Sequence, residues 1–528
     1  MCEWEVYEYH PSGSMNLGVS RLRYVAYLFG ILIALQPSYI HPDEHFQSLE
    51  VVASQVLGVK GTTPWEFEKQ NAARSFISID LFYAPVFLVF RYLLRIQSPL
   101  TILWAVRLQH CLVYLILANW ALKRLPCPGS STNRSFRMLC ISTSYITWCY
   151  QSHSFSNSIE TLILLIVLGL YQICLQSPRQ SNYKTSFLLG FFISLGVFNR
   201  MTFPAFILFP SLKLFYSYFL HHWSSLIFLL LSFMGFSLSF ILIDTQLYGS
   251  SGLVIAPWNN MRYNLDVSNL SEHGLHQWYT HILVNLPQIL GPALLYIGIN
   301  RKIICTRKFL TSLPFLSVMS ALITLSLFQH QELRFLVPIA PLLYLMLPFN
   351  KSRILFRLWC VYNIVMGVIM GIFHQGGVIR AILNQPDSGG SVAIWWKTYS
   401  PPTWMYNNAN LDVVTTNFVD GVEKVNSVDF SKTKDYVVDL KGCSVELLNY
   451  TLTAFFEQNS DMVIRLVSPS SVQTKLETIV NDSGSPFLFH EIYHSFIHLD
   501  LDHLDPKDLS TFIPGIHVWN VQFVGGDK

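Results

Sequence analysis

The chain has 528 residues, of which 51% are hydrophobic, 14% aromatic and only 13% charged, and its mean hydropathy is +0.37. Soluble domains carry about 25% charged residues, so this chain has too little charge to cover a water-facing surface, and its 38 Phe and 25 Tyr exclude a disordered chain. Residues 1–373 hold 25 Lys and Arg against 14 Asp and Glu, whereas residues 374–528 hold 10 against 18. The composition indicates a polytopic membrane protein with an acidic, polar C-terminal part.

Apolar runs of about 20 residues, the length that crosses a ~30 Å hydrocarbon core, recur along residues 1–373. The first run follows Arg21 and Arg23 and lacks a small-x-small cleavage site, which predicts a retained signal anchor. The run 77–95 is interrupted by charges and a proline, and we expect an interfacial or re-entrant helix there. We predict eleven transmembrane helices, at residues 22–36, 100–121, 136–152, 158–176, 185–199, 203–220, 223–243, 281–299, 309–328, 335–349 and 354–373.

The basic residues of these segments predict the orientation, because cytosolic loops are enriched in Lys and Arg. With eleven spans the N terminus is cytosolic, whereas the first loop, residues 37–99, and the C-terminal domain, residues 374–528, are lumenal. Residues 1–373 then form one transmembrane domain. Sequons begin at Asn133, Asn269, Asn350, Asn449 and Asn481. We expect the second, fourth and fifth to be lumenal and open to glycosylation, and the other two to be cytosolic.

Four polar clusters fall on the lumenal side of this topology, at residues 41–45, 153–160, 199–200 and 329–334. Ionisable groups at membrane depth are costly and tend to be functional, so the clusters predict one polar cavity at the lumenal boundary. Each cluster also has a structural alternative. Asp43 and Glu44 are also suited to cap a helix, residues 329–334 to form a salt-bridged turn, and residues 153–160 to form an ordinary loop before a span.

The C-terminal domain shows a mixed α/β pattern. We predict strands at 436–440, 462–466 and about 497–501 and a helix at 444–457. The segment 498–505 contains an Asp-x-Asp suited to a divalent ion, but its alternation of polar and apolar residues favours a strand edge. The aromatic segment 391–406 favours an interfacial belt over stacking on a sugar.

Nucleotide chemistry has no support in this sequence. It contains no Gly-x-Gly-x-x-Gly, no phosphate-cradling loop that ends in Gly-Lys-Ser/Thr, no Cys-x-x-Cys and no His-Glu-x-x-His. We expect no nucleic acid partner and no metal.

Several segments together resemble the glycosyltransferase family 22 mannosyltransferases, which are GT-C enzymes of the endoplasmic reticulum that use dolichyl-phosphate mannose. The resemblance is carried by residues 37–50 with the His-Pro-Asp-Glu element, 64–67, 73–75, 153–161, 196–200, 328–338 and 394–405. The last two segments favour the fungal members that add a fourth mannose, in α1,2 linkage, to the third mannose of the GPI precursor. The implied fold is an all-α polytopic membrane protein of GT-C type, with about eleven transmembrane helices, interfacial helices in the first loop and a small C-terminal lumenal α/β domain.

The resemblance also implies a mechanism. An α-mannoside formed from a β-linked donor inverts C1, so a carboxylate must take the proton of the attacking hydroxyl and cations must stabilise the departing phosphate. We expect Asp43 to be the base, with Glu44 as the alternate or as the group that orients the acceptor. The expected phosphate-binding residues are Arg334 first, then His330, Arg200 and Arg74. The expected substrate-binding residues are His41, His45, His153, Asn157 and Glu332.

The implied partners are a lipid-linked sugar donor and a GPI glycolipid acceptor, with no cofactor besides the donor; the sequence indicates no particular protein partner. Two alternatives stay open. The chain could be another family 22 mannosyltransferase, acting on the third GPI mannose or on the N-glycan precursor. It could also be a polytopic lipid transporter or a noncatalytic membrane scaffold.

Overall fold

The computed structural model describes residues 13–126, 134–266, 274–299, 306–346, 353–385, 390–415, 434–458, 462–480 and 485–524. The chain folds as two compact units. The first unit comprises Met1–Ala34, Trp65–Ser78 and Leu108–Val365, and the second comprises Leu35–Pro64, Ile79–Arg107 and Met366–Lys528. The units do not follow the sequence division at residue 373, because residues of the first loop pack with the C-terminal part.

The helices of the described residues are, in chain order, α1 (Gly13–Ala34), α2 (Glu50–Leu57), α3 (Phe76–Phe82), α4 (Ala84–Leu88), α5 (Pro99–Arg124), α6 (Arg134–Ser142), α7 (Tyr145–Cys149), α8 (Ser156–Gln176), α9 (Tyr183–Asn199), α10 (Pro204–Ser217), α11 (Trp223–Leu247), α12 (Ala256–Leu265), α13 (Leu286–Leu290), α14 (Ala293–Ile299), α15 (Arg307–Leu310), α16 (Leu313–Leu325), α17 (Ala340–Met346), α18 (Arg353–Val368), α19 (Val378–Leu383), α20 (Val445–Gln458) and α21 (Gln473–Val480). The strands are β1 (Ser391–Trp395), β2 (Leu411–Thr415), β3 (Asp435–Asp439), β4 (Val463–Pro469), β5 (Phe487–Ser495) and β6 (Ile516–Phe523).

Every predicted span coincides with helical structure, and seven of the eleven correspond to one continuous helical segment each. The other four, at 136–152, 203–220, 281–299 and 309–328, are interrupted within the described residues. Two of the interruptions have local causes: the Ser144 hydroxyl caps α7 by accepting the Ile146 N–H, and Gly291 adopts a left-handed φ of 50° between α13 and α14. Periodicity and composition therefore locate the helices but not their breaks.

Within the described residues, four helical segments are long and apolar enough to cross a membrane by themselves. They are Pro99–Arg124, Ser156–Gln176, Trp223–Leu247 and Arg353–Phe373. The pair Phe76–Phe82 and Ala84–Leu94 meets the same criteria together but is bent by 50°. The helix predicted over 77–95 is thus present, and it is bent as a re-entrant or broken segment would be.

In the first unit α8 is the most enclosed of the long apolar helices, whereas α11 exposes most of its apolar surface, as expected of a helix that faces lipid. Helix α9 packs along both of them. The approach of α9 to α11 depends on Gly190, because a Cβ there would lie 2.5 Å from the Leu229 carbonyl oxygen. The Ser232 hydroxyl strengthens the contact by donating a hydrogen bond to the Phe187 carbonyl at 2.7 Å. Small residues at such crossings are typical of membrane helices.

The second unit contains a six-stranded sheet in the order β2-β3-β1-β4-β6-β5. The first four strands in this order are parallel, and β6 and β5 are antiparallel to their neighbours. Helices α20 and α21 bury their apolar side chains in the same core as strand residues such as Val438 and Leu466. The predicted strands at 436–440 and 462–466 and the helix at 444–457 are confirmed within one to three residues at each boundary.

The strand predicted at about 497–501 is wrong. Strand β5 ends at Ser495, and the following loop contributes only an isolated bridge between Leu499 and His374. The polar residues of this loop satisfy one another instead of facing solvent from a strand: the Asp500 carboxylate accepts the Ser471 hydroxyl at 2.6 Å and lies 2.7 Å from His503 Nδ1. The alternation that indicated a strand reflects this local hydrogen bonding.

Candidate active site

The two adjacent carboxylates of the first loop lie in different environments. Glu44 is fully buried and paired with Arg107, whose Nε and Nη2 atoms lie 3.1 and 2.5 Å from Glu44 Oε1. Arg107 also donates to the carbonyls of Gln36 and Ser38, at 2.5 and 2.7 Å. Burial raises the pKa of Glu44 to about 7, although Arg107 opposes the shift. The buried ion pair with Arg107 thus holds Glu44 and the start of the first loop in place.

Asp43 keeps access to solvent, with 21% of its side chain exposed. Its Oδ2 accepts a hydrogen bond from Gln47 Nε2 at 2.6 Å, one helical turn further on. The His41 ring lies beside Asp43, because its Nδ1 accepts the Asp43 backbone N–H at 3.2 Å. A positioned and accessible carboxylate beside an imidazole is suited to take a proton.

Glu44 occupies the N-cap position of the helical turn His45–Leu49. Its carboxylate is engaged by Arg107 and makes no side-chain capping bond. The alternative that both acidic residues serve as helix caps is therefore wrong for Glu44.

Behind these residues, Glu50 anchors the C-terminal segment that follows β1. Its buried carboxylate accepts the backbone N–H of Thr62 at 3.0 Å, the hydroxyl of Thr403 and the backbone N–H of Trp404 at 3.2 Å. His45 belongs to the same anchor, because its Nδ1 accepts the Trp404 indole N–H at 3.2 Å. His45 is fully buried, so its observed contact is with Trp404 and not with solvent.

In the first unit, the second and third polar clusters meet at the start of α8. Arg200 donates to the Ser156 hydroxyl at 2.9 Å, and its Nε lies 3.5 Å from Glu160 Oε2. Thr202 donates to the other carboxylate oxygen of Glu160 at 3.2 Å, and Asn199 Nδ2 donates to the Ser156 carbonyl at 2.9 Å. The Gly196–Arg200 segment is thereby fastened to α8.

The fourth cluster joins this group through Phe335. The guanidinium carbons of Arg200 and Arg334 each lie 5.3 Å from the Phe335 ring centroid, within cation–π range. Arg334 Nη2 donates to Glu332 Oε1 at 2.9 Å, and His330 Nε2 lies 2.7 Å from the same oxygen. The salt-bridged turn expected as a structural alternative is therefore present, and it is packed against the Arg200 cluster.

His330 is linked electrostatically to this turn. Partial burial lowers the pKa of its imidazole, but the hydrogen bond and charge of Glu332, with the Gly274 carbonyl, outweigh that effect and leave the pKa raised. His330 is therefore more easily protonated than a free imidazole, which favours a cation beside Arg334.

Arg74 completes a set of three guanidinium groups, each held by one carboxylate. Its Nε lies 3.1 Å from Glu66 Oε1, and its Nη1 donates to the Asn199 carbonyl at 3.4 Å. A small pocket opens here, lined by Ala73, Arg74, Val197, Phe198, Asn199, Arg200, Met201, Thr202, Pro257 and Asn260. Guanidinium groups oriented by carboxylates around a pocket are suited to bind a phosphate.

The structure therefore brings together three of the four predicted clusters, and all four predicted phosphate-binding residues, within the first unit. His153 and Asn157 lie in the same unit but are buried, His153 just before α8 and Asn157 in its first turn. His153 Nδ1 lies 3.0 Å from the Ser152 hydroxyl. The first cluster, residues 41–45, belongs to the second unit.

Sequence reasoning missed several residues that hold these groups in place, namely Glu50, Glu66, Arg107, Phe335 and Trp404. Arg107 gave the clearest signal, because it is a charged residue within a predicted span and such residues usually have a partner. Glu50 and Glu66 lie in segments that resemble the family, but only their folded contacts reveal a role.

Comparison with known proteins shows the family to which the chain is related. Residues 22–408 match the Alg9-like mannosyltransferase family. The chain is 43% identical to GPI mannosyltransferase 4 of Saccharomyces cerevisiae over 95% of this chain and 98% of that protein. It is 42% identical to GPI mannosyltransferase 4 of Eremothecium gossypii, over 96% and 100% of the two chains.

Among solved structures, the chain is similar to ArnT from Cupriavidus metallidurans bound to undecaprenyl phosphate. The TM-score is 0.55 at 12% sequence identity, and the likeness covers 97% of this chain and 99% of that one. The apo state of the same ArnT gives a TM-score of 0.51. At this identity the likeness concerns the fold alone, which is that of a polytopic membrane protein of GT-C type.

Proposed function

Because the chain belongs to the Alg9-like mannosyltransferase family and is therefore a mannosyltransferase, we propose that it transfers mannose to the GPI anchor precursor. The observation that carries the proposal is identity above 40%, over nearly the whole length of both chains, to proteins named GPI mannosyltransferase 4. We assign the fourth mannose, in α1,2 linkage to the third, as the reaction.

The proposed donor is dolichyl-phosphate mannose. A related fold holds undecaprenyl phosphate in ArnT, which supports a polyprenyl-phosphate donor. The cluster around Phe335 supplies the guanidinium groups of Arg200 and Arg334 and the easily protonated imidazole of His330. Arg74 contacts the Asn199 carbonyl, next to Arg200 in the chain. Such donors stabilise the charge that a phosphate gains as it leaves C1. We assign Arg334, Arg200, Arg74 and His330 to the phosphate. The reaction needs no metal in this scheme, because fixed cations carry the charge.

We assign Asp43 as the general base. The acceptor hydroxyl attacks C1 of the mannose on the face opposite the phosphate, its proton passes to the Asp43 carboxylate, and the C1–O bond to the phosphate breaks. This in-line displacement converts a β-linked donor into an α-mannoside. Glu44 serves as a positioning residue, since its carboxylate is engaged with Arg107. The support for this division of roles is the difference in exposure between the two side chains.

We also assign His41, beside Asp43, to the acceptor, and Glu332, beside Arg334, to the orientation of the phosphate-binding side chains. His153, Asn157 and His45 are buried. Their burial supports a role in positioning other residues of the site and not in direct contact with the substrate.

The proposed location is the endoplasmic reticulum membrane, with eleven spans, residues 1–373 as the membrane domain and residues 374–528 in the lumen. The four long apolar segments and the shorter apolar helices between them support several crossings. The excess of basic residues in the predicted cytosolic loops supports the orientation.

The test is a transfer assay with microsomes that contain this chain as their fourth-mannose enzyme. Labelled dolichyl-phosphate mannose is supplied with GPI precursors that carry two or three mannoses. We expect label on the three-mannose acceptor only, in a product sensitive to α1,2-mannosidase. Transfer to the two-mannose GPI or to an N-glycan precursor would assign the chain to another branch of the family, and no transfer to any of these acceptors would contradict the proposed reaction.

A further inference from the structure

Two strands of the second unit carry a histidine pair that none of the roles above uses. Glu491 and His494 lie on β5 and His517 lies on β6, and one potential ligand atom from each of the three falls within 4.8 Å of the others. His494 and His517 are directly opposite in the strand register, and their rings stack at 4.3 Å with planes 8° apart. Two imidazoles and a carboxylate form a common ligand set for divalent zinc.

A β-bulge brings Glu491 to this group. Residues three apart on a regular strand point to opposite faces, but Glu491 pairs with Trp519 and Tyr493 pairs with Val518, so Ile492 is an extra residue in β5. The extra residue turns Glu491 and His494 to the same face as His517. Bulges occur frequently where a strand must re-aim a functional side chain.

Two neighbouring side chains orient the imidazole of His517. Its Nε2 lies 2.9 Å from the Ser470 hydroxyl, and its Nδ1 lies 3.2 Å from Glu491 Oε2. Metal-bound histidines usually have the second ring nitrogen held by such an outer partner, which sets the tautomer and the ring orientation.

The loop before β6 is shaped around the same group. Gly515 lies between the histidine pair and the turn after β4, where a Cβ would clash with the Ser470 hydroxyl and lie 2.9 Å from His494 Nε2. Glycine therefore lets the Ser470 turn and both histidines approach each other.

From this geometry we propose that Glu491, His494 and His517 bind one divalent transition-metal ion of the zinc class. The stacked rings of His494 and His517 turn out of their parallel arrangement on binding, so that one nitrogen lone pair of each points at the ion. The ion takes one carboxylate oxygen and two imidazole nitrogens, and water completes a four-coordinate shell on the exposed side of Glu491. It links the edge strand β5 to β6, and through Ser470 to the end of β4. The site does not depend on the mannose transfer proposed above.

The test is a titration of the full-length chain in detergent with Co²⁺ alone, after chelator treatment. Four-coordinate Co²⁺ with nitrogen and oxygen ligands gives visible absorption bands, and the absence of near-ultraviolet sulfur bands excludes cysteine ligation. We expect one equivalent to bind and Zn²⁺ to displace it. Glu491→Gln and His494→Ala should each weaken binding at least tenfold, and Ser470→Ala should weaken it by roughly 10–100-fold.

The matched control is His490→Ala, because His490 is an exposed histidine on the same strand outside the cluster; its Co²⁺ affinity should equal that of the wild type. Glu491 is also exposed, so its conservative replacement keeps the sheet folded and the result interpretable. Absence of Co²⁺ binding by the wild type, or unchanged binding by both Glu491→Gln and His494→Ala, would overturn the proposal.

Discussion

At the scale of single residues, burial separates the two adjacent carboxylates of the first loop. Asp43 is accessible and held by one neighbouring amide, whereas Glu44 is enclosed with Arg107. Removal of one partner from a buried ion pair leaves an uncompensated charge, which costs far more than the pair itself contributes. Two adjacent acidic residues thus lie in different environments although nothing in the sequence distinguishes them.

The first prediction compares the two amide variants. Asp43→Asn keeps the acceptor for Gln47 but removes the base, so transfer should fall by about 10²–10⁴ with an unchanged thermal midpoint. Glu44→Gln leaves Arg107 buried without a counter-charge and should destabilise the fold by about 3–5 kcal/mol. Transfer rates and thermal midpoints of both purified variants distinguish the roles. Near-normal turnover by Asp43→Asn would remove it as the base.

The second prediction concerns the phosphate-binding cluster. Arg334→Ala removes a guanidinium group that both pairs with Glu332 and packs on Phe335, so transfer should fall by about 10²–10³ or the donor requirement should rise. Arg353→Ala, an exposed arginine at the start of α18, is the control and should behave as the wild type. Unchanged kcat and KM in Arg334→Ala would contradict the assignment.

At the scale of elements, close helix packing in the first unit depends on glycines at particular places. Gly190 and Gly235 lie on the partner helices α9 and α11, yet only Gly190 faces a backbone at contact distance. The two glycines have the same hydropathy value, so hydropathy cannot distinguish Gly190 from Gly235. What differs is the side of the helix on which the neighbour lies.

The third prediction uses this pair. Gly190→Ala should lower stability by about 1–3 kcal/mol because the added Cβ forces the helices apart. Gly235→Ala, with nothing within 4 Å of its added Cβ, should be neutral or slightly stabilising, since alanine favours the helix. Thermal unfolding in the same detergent measures both, and equal effects would show that the helix crossing does not need Gly190.

The fourth prediction follows from the buried anchor between α2 and the Thr403–Trp404 segment. Burial raises the pKa of Glu50 to about 7, against the opposing hydrogen bonds from Thr403, Thr62 and Trp404. An acid whose folded pKa is raised binds more protons when folded, so it lowers stability as pH rises from about 4.5 to about 7. At 1.36 kcal/mol for each pKa unit, this contribution is on the order of 3 kcal/mol.

Glu50→Gln should flatten the fall of the thermal midpoint across that pH range. Part of the slope should persist, because the pKa of Glu44 is also raised to about 7 by burial. Exposed Glu457 on α20 supplies the control, and Glu457→Gln should keep the wild-type slope. An unchanged slope in Glu50→Gln would show that this carboxylate does not titrate in the expected range.

At the scale of the whole molecule, the number of spans and the distribution of basic residues together predict the membrane topology. The fifth prediction maps the sequons by glycosidase-sensitive mass shifts. Asn269, Asn449 and Asn481 should be available to the lumenal machinery, and Asn133 and Asn350 should not. Asn449 is exposed on α20, and the other four asparagines lie outside the described residues. Glycan on Asn133 or Asn350 would overturn the eleven-span topology.

The sequence alone determined the class of protein and the places of its helices, because apolar runs must be buried in lipid or in protein wherever they occur. It also marked the His-Pro-Asp-Glu and Gln-Glu-Leu-Arg segments, since charges beside such runs need a reason to be there. Two of the predicted C-terminal strands and their helix also followed from local periodicity.

Only the tertiary structure decided which charges are paired and which are accessible. Arg107 pairs with Glu44, 63 residues away in the chain, and Arg200 packs on Phe335, 135 residues away, beside Arg334. The interruptions at Ser144 and Gly291, and the bulge at Ile492 that turns Glu491 toward two histidines, were equally invisible to periodicity. Pairing and burial depend on distances across the fold, and local sequence patterns do not contain those distances.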